Sequence, residues 1–164
     1  MKNKIALPLC LVMISLLLFG CGKAPSNDVS LFDLKEAMLA ATTFGDIAYV
    51  SSEDQEAQTY LSTVSDLAFD KVDAFSIAYA KDGKGNADEL VVIRVKDAAD
   101  TPLALASLQA HLKTRQSIYA TYDPTQSEKI GKGITFSQGC YAVLIVSDDN
   151  AAVKKAFESA VAVG

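Results

Sequence analysis

The chain has 164 residues, half of them hydrophobic and 21% charged, which is one domain's worth of sequence with enough apolar side chains for a core. A net charge of −5 excludes a broad basic surface for nucleic acid. Three cysteines and a single histidine, His111, leave little from which to build a transition-metal cage or a Ser-His-Asp triad.

The N-terminus reads as an address. Met1-Lys2-Asn3-Lys4 is a short positive segment, and Ile5 to Phe19 carries no charge. That run suits the apolar core of a signal peptide and falls short of the ~20 residues a spanning helix needs. It ends in Leu18-Phe19-Gly20-Cys21, which resembles the bacterial lipobox: an apolar residue, a free position, a small residue and then the lipidated cysteine. The resemblance implies a diacylglyceryl group on Cys21, cleavage before it, and residues 1–20 as a lipoprotein signal peptide. An uncleaved anchor with a chance cysteine is the alternative. Either reading places the protein on a membrane, exported to its outer face. Cleavage would discard Cys10 and alkylation would occupy Cys21, leaving Cys140 with no partner for an intramolecular disulfide. Residues 21–29 hold Gly, Pro, Ser, Asn and Asp without periodicity and read as a flexible, lipidated tether. A single domain is expected over 30–164.

The body begins with helical patterns. Ser30 is the expected N-cap of a helix carrying Leu31, Leu34, Met38 and Ala41 on one face, with Gly45 ending it. A second helix is expected over 52–67, capped by Ser51 or Ser52, with Tyr60, Leu61, Val64 and Leu67 on one side. The period then changes. Phe75, Ile77 and Tyr79 alternate with small residues, residues 81–86 have turn chemistry, and Glu89 to Lys96 is rich in β-branched residues, so 73–96 reads as a hairpin. Thr101 is the expected cap of a helix with Pro102 at its first position and Leu105, Leu108, Leu112 and Tyr119 along its stripe, ending at Tyr122-Asp123-Pro124. A short strand over 134–137, a turn at Gln138-Gly139, an apolar strand over 140–147 and a helix capped within Asp148-Asp149-Asn150 complete the chain. The expected class is α+β: N-terminal helices, then two ββα units forming a four-stranded antiparallel sheet, with helices on one face. Leu90, Val92, Ala142, Leu144 and Val146 are candidates for the opposite face, either covered by the first two helices or binding a partner.

Few residues suggest chemistry. Gly83-Lys84-Gly85 and Gly131-Lys132-Gly133 lack the spacing of a phosphate loop and read as turns. Asp82, Asn86, Asp88 and Glu89 bring oxygen ligands close in sequence, but Lys84 and Ala87 break the EF-hand pattern. Cys140 with His111 could form a nucleophile and base only if the fold brought them together. The default is a buried thiol and a solvent-facing imidazole. The acids Glu53, Asp54, Glu56, Asp97 and Asp100 suit helix starts. Glu89 and Arg115 are more informative. Glu89 shares strand phase with Val91, Ile93 and Val95, and Arg115 lies between Leu112 and Tyr119 on the helix stripe. A charge on a buried face needs a partner, so a Glu89–Arg115 pair is expected, with both chains snorkelling to solvent as the alternative.

Three segments carry a family resemblance: Ala87-Asp88-Glu89-Leu90-Val91-Val92, the helix running into Tyr122-Asp123-Pro124, and Gly139-Cys140-Tyr141-Ala142-Val143 before the last acidic cap. Over residues 30–160 the chain resembles an uncharacterised lipoprotein family of Gram-positive, clostridia-like bacteria that carries a domain of unknown function. Cys140 is a departure from what that resemblance implies at its position. The resemblance implies location and fold class, and no activity or cofactor comes with it. The expected function is a membrane-anchored, non-catalytic binding or accessory module of the cell envelope. Its partners would be membrane lipid through Cys21 and an envelope protein or small ligand. No cofactor and no metal are expected. The alternative is an envelope hydrolase using carboxylates, Glu89 with Asp88 or Asp123.

Overall fold

The computed structural model describes residues 29–82 and 84–163. The signal-peptide segment, Cys21 and the tether up to residue 28 lie outside them, as does Gly83. Among the described residues the elements run α1 (Leu31–Leu39), β1 (Ile47–Ser51), α2 (Ala57–Val64), β2 (Val72–Ala80), β3 (Glu89–Val95), α3 (Thr101–Tyr122), α4 (Pro124–Gly131), β4 (Ile134–Gln138), β5 (Tyr141–Val146) and α5 (Asn150–Val163).

The fold is α+β, with five helices and one antiparallel sheet in the order β1-β2-β3-β5-β4. The sheet has five strands, not four. The extra strand is β1, which occupies the gap expected to separate two helices. Its five residues pair with β2 from Ile47↔Ala80 to Ser51↔Ser76. An edge strand this short draws its order from a partner far along the chain, and local alternation barely marks it. Helix α2 accordingly begins only at Ala57, after a turn in which Asp54 Oδ2 accepts the Ser51 N–H at 2.6 Å. Helix α1 ends at Leu39, before Gly45.

Helix α4 was also unexpected. Asp123, which ends α3, accepts the Gln126 N–H and so caps the next helix, with Pro124 in its first turn. Thr101 begins α3 but does not cap it. Its hydroxyl donates to the Gly139 carbonyl, 3.0 Å away, and ties the helix start to the β4–β5 turn.

Helices cover both faces of the sheet, not one. On one face α2, α3 and α4 pack over Phe75, Ile77, Val91, Ile93, Ala142, Leu144 and Val146. On the other, α1 and α5 bring Leu34, Met38, Val153, Phe157 and Val161 onto Ala78, Leu90, Val92, Tyr141, Val143 and Ile145. Leu90 and Val92 therefore do not share a face with Ala142, Leu144 and Val146. The register sets Leu90 opposite Ile145 and Val92 opposite Val143. Among the described residues, the centre of this face is buried under the first and last helices. Burial on two sides is why β3 and β5 read as nearly continuous apolar runs.

Candidate functional site

Residues at the start of β3 lie where the helical cover thins. Glu89 is paired across the sheet with Tyr79 on one side and Val146 on the other. Its phase, shared with Val91 and Ile93, points it under α3, and it is only 4% exposed. A carboxylate at that depth needs donors. Helix α3 supplies two. Arg115 Nη1 approaches Glu89 Oε2 at 3.3 Å and also donates to the Ala87 carbonyl at 3.0 Å. His111 Nε2 lies 3.1 Å from both Glu89 oxygens. A carboxylate only accepts, so Nε2 is the protonated nitrogen in this arrangement. The guanidinium also lies over the Tyr119 ring, 5.3 Å from its centroid.

The structure brings Glu89 and Arg115 together and adds a third group, His111, which does not face solvent as its place beside the stripe predicts. The His111 side chain is 18% exposed and held by Glu89. The signal for it was present: His111 lies one helical turn before Arg115, and residues four apart share a face.

This trio floors a cleft of about 380 Å³. Its walls are Tyr60, Thr63 and Val64 from α2, Val50 from β1, and Ile77, Tyr79 and Ala80 from β2. Apolar walls with a few convergent polar groups are what a small-molecule site requires, and the volume falls in the range of about 300–1,000 Å³ typical of such sites. A second cleft of about 430 Å³ lies between α1 and the β1 edge, but its cations are committed. Arg94 pairs with Asp73 and donates to the Val29 carbonyl, while Lys35 lies by Glu36 and over the Phe32 and Tyr49 rings.

The other candidate residues are dispersed. Asp88, adjacent to Glu89, turns elsewhere: Oδ2 accepts the Gly45 N–H at 2.8 Å and Oδ1 lies 2.5 Å from Lys129 Nζ. Lys129 also meets Asp148 at 2.7 Å. Burial opposes its charge, but the two carboxylates outweigh burial and raise its pKa above the ordinary lysine value. Asp123 accepts from Gln126 and from the Gly85 N–H. The acids considered for a hydrolase therefore do not converge, and the oxygens of Asn86, Asp88 and Glu89 are not gathered round a point. The Asn86 amide oxygen instead accepts the Asp88 N–H. Cys140 is buried at the opposite end of β3 from His111. Its carbonyl accepts the Val95 N–H, and a strand of this length separates its ends by about 20 Å. Gly131-Lys132-Gly133 forms the C-terminal end of α4, the negative pole of the helix, which does not attract phosphate.

Comparison with known proteins places the cleft inside a family domain. No curated protein and no solved structure matches the chain. Residues 46–147 match the domain of unknown function DUF4358, a span that holds every residue lining the cleft. The chain belongs to the DUF4358 family.

Proposed function

We propose that this protein is a lipoprotein of the bacterial cell envelope, anchored on the outer face of the cell membrane through acylated Cys21, and that it acts as a non-catalytic binding module for a small ligand. The observation that carries the binding half is the cleft between α2 and α3, with Glu89, His111 and Arg115 fixed at its floor. What supports the anchor is Leu18-Phe19-Gly20-Cys21 behind an uncharged run and two lysines. Two acyl chains suffice to hold an acidic domain at a surface that its charge does not favour. A carboxylate hydrolase has less support, because Asp88 and Asp123 are committed away from Glu89.

Native mass spectrometry of the chain extracted from its own membranes tests both halves. The expected species starts at residue 21, carries a diacylglyceryl mass that Cys21→Ala abolishes, and holds a non-covalent adduct. Thr63→Trp, which fills the cleft, should remove the adduct and leave the lipid. A full-length, unlipidated chain would overturn the anchor. An adduct that persists in Thr63→Trp would overturn the cleft as the binding site.

A further inference from the structure

We infer that the cleft takes a small organic anion, a carboxylate with a compact apolar body, and that Arg115 is its receptor. This rests on the reading of the cleft as a ligand site.

The inference follows from which donors and acceptors are already in use. Glu89 faces one His111 N–H shared between its oxygens and one Arg115 N–H, and at 4% exposure it has little open surface left for a further donor. A cationic ligand would also meet Arg115 and its charge beside that carboxylate. The donor side is different. Every hydrogen bond of Arg115 among the described residues starts from Nη1, which leaves Nε and Nη2 without a partner. The Arg115 side chain is 14% exposed and lines the cleft. Nε and Nη2 on one edge of a guanidinium match a carboxylate with two parallel hydrogen bonds. The Tyr60 and Tyr79 hydroxyls also have no partner among the described residues, and both tyrosines line the cleft. The remaining lining, Val50, Val64 and Ile77, suits an apolar body. His111 is a positioning residue here, since its Nε2 holds Glu89 on the Nη1 side of Arg115.

Glu89 offsets part of the charge that Arg115 presents. That gives the inference a test of opposite sign to its rival. If Arg115 receives an anion, Glu89→Gln strengthens binding. If Glu89 receives a cation, the same change weakens it. A glutamine carbonyl at the Oε2 position still accepts from His111 and Arg115, while the amide nitrogen takes the Oε1 position and loses the second His111 contact.

The probes are 3-phenylpropionate, its primary amide and 3-phenylpropylamine, titrated into the protein extracted from its membranes in detergent and followed by amide NMR. At about 0.3 kcal/mol per non-hydrogen atom, a ligand of this size binds in about the millimolar range, which NMR detects. The expected result is that the acid shifts residues around Thr63, Tyr79 and His111 about tenfold more tightly than the amide. Glu89→Gln should tighten the acid several-fold. Arg115→Lys, which keeps the charge and loses the fork, should weaken the acid several-fold without weakening the amide. An amide as tight as the acid, an amine tighter than either, or weaker acid binding in Glu89→Gln would each overturn the anion while leaving the cleft as a ligand site. No shift at the cleft with any probe at about tens of millimolar would overturn the inference and the ligand-site reading together.

Discussion

The two faces of the sheet are built from the same strands and finished differently. Beneath α1 and α5, Phe157 packs edge-on against Tyr141 and Phe136, with ring centroids 5.6 and 5.2 Å away, and the buried cluster around it is apolar. Beneath α2, α3 and α4 the apolar cluster is of similar kind until the start of β3, where Glu89 takes the next inward position. There α2 is only eight residues long and leaves the cleft open. One face is sealed by shape, and the other is held at one corner by charge. Arg94 and Lys35 beside α1 are committed to Asp73, the Val29 carbonyl and Glu36, whereas Arg115 keeps Nε and Nη2 unused at the cleft, which is why the binding argument lives on the second face.

The largest expected effect breaks the sealed face. Phe157→Ala removes a fully buried ring and should cost about 3–5 kcal/mol, read as a shift of the urea midpoint without loss of cooperativity. Wherever the variant remains folded, probe binding at the cleft should be unchanged. A change in binding there would show that the two faces are coupled through the sheet.

Next comes the charged corner. Arg115→Met leaves Glu89 with His111 alone and should cost about 2–3 kcal/mol, below the 3–5 of a fully buried pair because Arg115 retains some exposure. Adding Glu89→Gln should recover part of that loss, with a coupling of about 0.5–3 kcal/mol in the double-mutant cycle. Additive losses would show that the contact between them contributes nothing to stability.

A third change tests how closely α4 is set against the open face. A Cβ at Gly133 would meet the Ile130 carbonyl oxygen and Val146 Cγ2 at 2.9 Å, and Leu112 Cδ1 at 3.1 Å. Gly133→Ala should therefore cost about 1–3 kcal/mol, in the range of other overpacked positions. Equal stability would mean that α4 can shift outward, so that this side of the sheet is looser than its burial suggests.

How much of this was legible follows from where the information sits. The inward direction of Glu89 is written in strand parity, and that of Arg115 in the spacing Leu112–Arg115–Tyr119, so their meeting could be expected from two local patterns. His111 was obscured because Leu108 and Leu112 drew the stripe to one side of it, although its four-residue spacing from Arg115 marks the same face. Strand β1 and the Tyr79 wall of the cleft were not legible, because a five-residue edge strand is specified by its partner. Helix α4 hid behind Asp123-Pro124, whose chemistry serves a helix end and a helix start equally. The phase error between β3 and β5 had a different source. When both sides of a strand are apolar, alternation carries no sign, and only the register, with Leu90 opposite Ile145, decides which residues share a face.

The smallest effect separates two adjacent carboxylates. Asp88 is as buried as Glu89, at 2% exposed, yet it joins Gly45 and Lys129 and so fastens the approach to β1 and helix α4 to the sheet. The Lys129 pKa is raised: burial opposes its charge, and Asp148 and Asp88 more than restore it. A group whose folded pKa lies above its unfolded value stabilises fully below the unfolded value, near 10.4 for lysine, and loses that contribution as pH rises through the folded one. Lys71 and Lys81 are raised as well by Asp100 and Asp46, so total stability at high pH does not isolate Lys129. The informative quantity is the difference in urea midpoint between the wild type and Lys129→Met, followed from pH 8 to pH 12. It should be constant through neutral pH and shrink only above about pH 10. A difference that stayed constant to pH 12 would show that the Lys129 charge contributes nothing to stability, and that the fastening of α4 to the sheet at Asp88 rests on packing alone.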